Sequence, residues 1–435
     1  MAAGKARKHS DRIYRDKRTK LTKCEVVFGA NASGKSNLIS AFQFVHDMVL
    51  DGLPHGFSNK YFKLISENRD LPSLFSIDIL LDEKIYSYSF SILLSTGSLL
   101  HESLYEKGLG SAQKLLFDRD TKAEKFSVGP YFRHSETLAK LNNYGEDSAN
   151  DQETLFLTII NKNKGKMFAD FPELQVLRDL FEWFSTRLYI SFPGSILTGY
   201  PYFTNSNLSE IAELLGALGT GISELKVVEL PTEVVKSKMP TDLYNKIIAD
   251  LEKANARTPA GKESPKIMAR SYKEFFTFEI SPENNITITT IEFSHENKNV
   301  FFELSEESDG TARLLDLIEM LFKISDNRIF IIDEIDRCLH PAMTVKIVDL
   351  FLKLAKTRNT QLIITSHESR LLASEILRND EICFVSRNDL GATIIDPLEK
   401  YQLRADKKVY TALFDGTLKF LPQFNEKKLT GLIGN

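Results

Sequence analysis

Gly29-Ala30-Asn31-Ala32-Ser33-Gly34-Lys35-Ser36 is a GxxxxGK[ST] match, and its flanks decide the fold. A short apolar run, Cys24-Glu25-Val26-Val27-Phe28, leads into it, and a stretch with helical spacing follows from Ser36 to about Leu50. A strand, a glycine-rich turn and a helix start are the context in which backbone N–H groups curl around phosphates and the helix adds its positive dipole end. The pattern predicts a phosphate-binding loop from Gly29 to Ser36, with Asn37 at its exit. Lys35 is placed to reach the outer phosphates of a nucleoside triphosphate and the Ser36 hydroxyl to hold Mg²⁺.

A second apolar strand, Ile329-Phe330-Ile331-Ile332, ends in Asp333-Glu334. Beside a phosphate loop, Asp333 is expected to hold Mg²⁺ through water and Glu334 to polarise the attacking water. Lys35 and Asp333 lie 298 residues apart, a spacing that compact GTPases and AAA+ modules do not have. The base-reading NKxD motif of GTPases is also missing, since Asn161-Lys162-Asn163-Lys164 lacks the Asp. Upstream of the Asp-Glu strand, Ser308-Asp309-Gly310 can present a hydroxyl and N–H groups at the start of the helix from Thr311. That is either a plain capped helix or a second anion site, and two anion sites on one head imply a nucleotide held between two heads.

Outward from these motifs the chain reads as α/β. After about residue 300 a helix to Ile324, a strand over 328–332, a helix over 341–356, a strand over 361–365, a helix near 369–377 and a strand over 382–385 alternate. Such alternation predicts a mostly parallel sheet covered by helices. Residues 73–118 read as an antiparallel meander, with Phe75, Ile77 and Ile79, then Tyr86, Tyr88 and Phe90, on alternate positions. Helices are expected over 174–184 behind Pro172, over 208–215 and over 242–254, the last polar enough to lie at the surface. A loop over 257–265 and a hairpin around Pro282-Glu283-Asn284 follow. The expected organisation is a head formed by 1–50 and 300–435, an antiparallel β lobe over 51–150, and a helical insertion with a β hairpin over 151–299.

Composition bounds the rest. A chain 42% hydrophobic and 26% charged is globular, not disordered. The net charge is −4, but residues 1–23 carry nine Lys/Arg against Asp11 and Asp16, leaving −11 for the other 412 residues. This segment is either a solvated basic arm or a contact for nucleic acid or an acidic partner. Three scattered cysteines fit a reducing cytoplasm and no disulfide scaffold. No apolar run nears the roughly 20 residues of a membrane span, so no membrane partner is expected.

GANASGKSN, ESDGTARLL, FIIDEIDRCLHP and ITSHE, in that order, with RADKKVYTALFDG near the end, resemble the ABC-like ATPase heads of the RecF, SMC and OLD branch. Above all they resemble the stand-alone ATPases of bacterial abortive-infection and RloA-type, PARIS-like phage-defence systems. The resemblance covers most of the chain and is strongest over 24–50 and 300–370. It implies an ABC-type P-loop head that binds ATP and Mg²⁺, with Gly29–Ser36 as the Walker A loop and Asp333 and Glu334 as Walker B. Ser308, Asp309 and Gly310 become the signature that contacts the γ-phosphate of the opposing protomer, Asp336 a D-loop residue at the dimer interface, and His367 the switch histidine. The implied assembly is a homodimer or higher even oligomer that closes on ATP and controls a separately encoded effector, such as a Toprim-type nuclease, in anti-phage defence.

Three departures shape that expectation. SDG stands where transporters have SGG, which points away from transport. No glutamine can be assigned to the Q-loop, since Gln43 lies too close to Lys35. Only 28 residues precede Gly29, fewer than relatives use to open the fold. The 68 residues after His367 hold no DxD cluster, and Asp380 and Glu381 read as solvated, so nuclease chemistry is expected from a partner. The alternatives are a RecF-like repair ATPase that clamps DNA through 1–23 and the β lobe, and a scaffold that binds ATP with negligible turnover.

Overall fold

The computed structural model describes residues 1–4, 6, 8–16, 19–108, 112–193, 208–258, 264–270, 274–296, 299–322, 327–401, 409–414, 418, 420 and 426–433. The chain divides into two compact units: Met1–Ile190 with Asp326–Asp333 and Ala355–Asn435, and Ser191–Ser325 with Glu334–Leu354.

A six-stranded sheet forms the centre of the first unit, in the order Thr393–Pro397, Ile382–Arg387, Cys24–Gly29, Gln361–Ser366, Ile329–Ile332, Leu188–Ser191. The four strands from Ile382–Arg387 to Ile329–Ile332 are mutually parallel, and Thr393–Pro397 is an antiparallel edge. Val26, Phe330, Ile331, Ile332, Leu362, Ile364 and Phe384 are wholly buried. Strands covered on both faces read as continuous apolar runs, which is why Cys24–Phe28 and Ile329–Ile332 were legible. Leu188–Ser191 joins this sheet from within the stretch read as a helical insertion.

The helix Lys35–Leu50 buries Ile39, Phe44, Val45, Met48 and Val49. Phe44 stacks on Phe75 at 4.9 Å and Phe75 on Phe90 at 5.1 Å, so the helix leaving the phosphate loop rests on the antiparallel meander. That meander has five consecutive strands: Ser73–Leu81, Lys84–Leu93, Ser98–Lys107, Gln113–Asp120 and Lys125–Val128. Asp82 and Glu83 both take positive φ, 46° and 62°, the backbone of a tight two-residue hairpin turn. Glu102, fully buried, accepts from Tyr88, Arg119 and the N–H groups of Phe156 and Leu157. A helix over Ser135–Asp147, not anticipated from the sequence, packs on Lys125–Val128.

The second unit holds another five-stranded antiparallel sheet. Glu224–Glu229, Ile286–Ser294, Phe275–Ile280 and Lys266–Arg270 follow in order, and Phe302–Glu303 also pairs with Ile286–Ser294. The expected hairpin is therefore the middle of a larger sheet. The helix Thr241–Arg257 lies at the surface, as expected, but buries one narrow stripe. Tyr244, Ile247 and Leu251 lie one and two turns apart and pack on Phe276, Phe278 and Ile280. Its many polar residues hid this narrow apolar stripe.

The basic N-terminal segment is not a free arm. Arg12 is buried and donates to the Ile376 carbonyl at 2.6 Å and to Glu381 at 3.3 Å. Lys23 donates to the Arg358 carbonyl at 2.5 Å. Arg378, wholly buried, forks onto Asp380 at 2.7 and 2.6 Å and donates to the carbonyls of Lys8 and Ala6. Glu381, read as solvated, is instead buried against Arg12, which lies 369 residues away in sequence, and Asp380, also read as solvated, has its side chain only 3% exposed against the neighbouring Arg378 and accepts from the Gly4 N–H. Lys5, Arg7, Lys17 and Arg18, and most of RADKKVYTALFDG, lie outside the described residues. Among the described residues no helix is long and apolar enough to cross a membrane.

Candidate functional site

The strand Cys24–Gly29 ends in a loop whose backbone is unusual at two places: Ala32 at φ 60° and Gly34 at φ 110°. A Cβ on Gly29 would meet the Ser33 hydroxyl and the Val385 carbonyl at 2.7 Å, and one on Gly34 would collide with the Thr393 side chain. Gly29 is thus fixed by its close neighbours, and Gly34 by a close neighbour and by its positive φ. The Thr393 hydroxyl donates to the Ser33 carbonyl at 3.1 Å, so the edge strand clamps the loop from outside. Lys35 is buried and donates to the carbonyls of Gly29 and Ala30 at 2.9 and 3.1 Å. Asn31, Ala32, Ser36 and Asn37 are exposed around it. The Ser33 hydroxyl is buried with no hydrogen-bond partner among the described residues. Exposed N–H-bearing residues, an inward lysine and an unpaired hydroxyl fit a triphosphate.

Asp333 leaves the carboxyl end of Ile329–Ile332, 2% exposed, and accepts a hydrogen bond from the Thr365 hydroxyl at 2.5 Å. His367 follows directly on Gln361–Ser366 and is exposed. The strand before His367 lies between the strand before Gly29 and the strand before Asp333. Three neighbouring parallel strands therefore deliver the phosphate loop, the carboxylate and the histidine at their carboxyl ends, where open α/β sheets bind ligands.

In the second unit, Ser308 caps the helix Asp309–Phe322. Its hydroxyl accepts from the Thr311 N–H at 3.0 Å and lies 2.9 Å from the Thr311 hydroxyl. Asp309 is exposed and Gly310 partly so. Just before the cap, buried Glu307 meets His295 Nε2 at 2.8 Å. Glu334 has φ 47° and opens a turn in which the Arg337 N–H reaches the Glu334 carbonyl at 3.1 Å and the Leu339 N–H reaches that of Asp336 at 3.1 Å. The Arg313 guanidinium donates to the same Glu334 carbonyl at 3.2 Å. A Cβ on Gly310 would press on the Cys338 carbonyl at 3.0 Å. The signature, Glu334 and Asp336 thus belong to one connected piece.

Sequence reasoning missed Thr365, Thr393, Arg313 and His295. Thr365 stands two residues before His367 and could have been suspected. Thr393 opens the five-residue edge strand Thr393–Pro397, which has no motif of its own. Among the described residues no three His, Cys, Asp or Glu side chains form a metal cluster.

A family model described as "AAA domain, putative AbiEii toxin, Type IV TA system" matches residues 26–193 and 198–373. No curated protein matches. Among the solved structures that match, two SMC heads are similar at low level. One is an SMC head bound to the C-terminal winged-helix domain of ScpA, 15% identical, TM-score 0.34, covering 88% of this chain and 93% of that one. The other is the SMC head domain from Thermotoga maritima, 13% identical, TM-score 0.25, covering 86% and 89%.

Proposed function

The chain belongs to this AbiEii-type AAA-domain family, and from that premise we propose that it is an ATP-hydrolysing switch whose heads close in pairs on ATP and govern a separately encoded effector in anti-phage defence. Gly29, Ala30, Asn31, Ala32, Ser33, Gly34, Lys35 and Asn37 hold the triphosphate. Ser36 and Asp333 hold Mg²⁺, which when bound neutralises charge on the outer phosphates. Glu334 orients the attacking water and His367 faces the γ-phosphate. Ser308, Asp309 and Gly310 serve the nucleotide of the opposing copy, with Asp336 at the interface.

The observation that carries this reading is the delivery of the phosphate loop, Asp333 and His367 by three adjacent parallel strands. The defence role draws on the family description and on the sequence resemblance. A separate effector, for instance a Toprim-type nuclease, is favoured because Asp380 and Glu381 are engaged with Arg378 and Arg12. The RecF-like reading loses Arg12 and Lys23, which turn inward.

The test uses the purified full chain with ATP and Mg²⁺. Glu334→Gln is expected to trap an ATP-bound dimer by light scattering, and Lys35→Ala to abolish ATP binding. Ser308→Arg should keep ATP binding and lose hydrolysis. Hydrolysis at the wild-type rate by Glu334→Gln overturns the role given to Glu334, and by Ser308→Arg it overturns the paired-head model.

A further inference from the structure

We infer that Arg313 is a positioning residue that holds the Glu334 backbone from the signature helix of the same chain. The inference rests on the paired-head reading above and extends it: the helix that serves one nucleotide also sets the hydrolytic glutamate for another.

Glu334 adopts φ 47°, a left-handed conformation that side chains other than glycine rarely take unless neighbours hold it. Its carbonyl receives two donors, the Arg337 N–H at 3.1 Å and the Arg313 guanidinium at 3.2 Å. The first is internal to the turn. The second comes from another element, and Arg313 is only 5% exposed. Arg313 lies three residues after Gly310, so both share one helix face. Gly310 abuts the Cys338 carbonyl while Arg313 grips the Glu334 carbonyl. The helix therefore touches the Glu334–Cys338 turn at both ends, with Asp336 between. Burial opposes the guanidinium charge, and Asp316, itself buried one turn further on, supports it. A displacement of the Ser308-Asp309-Gly310 end is transmitted to Glu334 through that face.

The experiment measures steady-state ATPase kinetics of the full chain for Arg313→Met and Arg313→Lys, alone and combined with Glu334→Gln. Arg313→Met is expected to lower kcat at least ten-fold with KM for ATP within two-fold and with unchanged affinity for a fluorescent ATP analogue. Arg313→Lys, which keeps the charge but not the planar guanidinium that reaches the carbonyl, is expected to lose about three-fold in kcat at unchanged KM, and it decides the matter if Arg313→Met does not fold. On the Glu334→Gln background Arg313→Met should add no further loss, because both act on one residue. A wild-type kcat, a change confined to KM, or losses that multiply would overturn the inference. If Ser308→Arg hydrolyses ATP normally, the paired-head reading fails. If Ser308→Arg is inactive while the Arg313 variants turn over normally, this inference alone fails.

Discussion

The Thr365 hydroxyl donates to Oδ1 of Asp333 at 2.5 Å, linking two adjacent parallel strands. Both groups are buried, Thr365 wholly and Asp333 to 2% exposure. Thr365 stands two residues before His367, and Asp333 one before Glu334. The carboxylate proposed for Mg²⁺ and the histidine proposed for the γ-phosphate therefore hang from strands joined at their ends by a charge-assisted bond.

Thr365→Val removes that donor while nearly preserving shape. A hydrogen bond to a charged group contributes about 1.5–3 kcal/mol, so urea unfolding should show a loss of that order. The Mg²⁺ concentration giving half-maximal ATPase activity should rise as well, since Asp333 is less firmly held. Thr365→Ser should behave as wild type in both assays. Equal stability and Mg²⁺ dependence in Thr365→Val would show that the bond has no bearing on the site.

Thr393 offers a second check. Its hydroxyl donates to the Ser33 carbonyl at 3.1 Å, within the loop expected to wrap phosphate. A neutral hydrogen bond is worth about 0.5–1.5 kcal/mol, or roughly two- to twelve-fold in affinity. Thr393→Val should weaken binding of a fluorescent ATP analogue by that factor, and Thr393→Ser should restore it. Tightened or unchanged binding in Thr393→Val means the edge strand does not shape the loop.

The insert makes a prediction of its own. Leu251 is fully buried between its helix and the second sheet. Leu251→Ala should cost about 2–5 kcal/mol in unfolding free energy. A surface position would lose well under 1 kcal/mol, so thermal unfolding separates the two placements directly.

What could be read from the sequence was whatever is written locally. The phosphate loop follows from eight consecutive residues, and the parallel strands from unbroken apolar runs such as Phe330–Ile332. Alternation gave the meander its faces through Tyr86, Tyr88 and Phe90. What could not be read was whatever depends on distant partners. Glu381 and Arg12 are 369 residues apart, and nothing local marks either as buried. Leu188–Ser191 is a four-residue strand that gains its identity from a neighbour far along the chain. The helix Thr241–Arg257 carries too narrow a stripe to outweigh its polar residues by count alone.

The clamp on the N-terminal segment predicts a pH dependence. The Glu381 carboxyl is pushed up to about 7, first by burial, with Arg12 pulling it down. Its unfolded value is near 4.3, so the folded chain binds the proton more tightly. The stability this contributes is complete below about pH 4 and is lost as the pH rises through 7. Glu381→Gln removes the titration while keeping the shape. The difference in unfolding free energy, wild type minus Glu381→Gln, should therefore fall by roughly 2–4 kcal/mol between pH 5 and pH 8.5. Urea titrations of both proteins at pH 5, 7 and 8.5 measure it. Parallel pH profiles would mean that Glu381 stays ionised throughout this range, and that the Arg12 pair, not burial, governs its protonation.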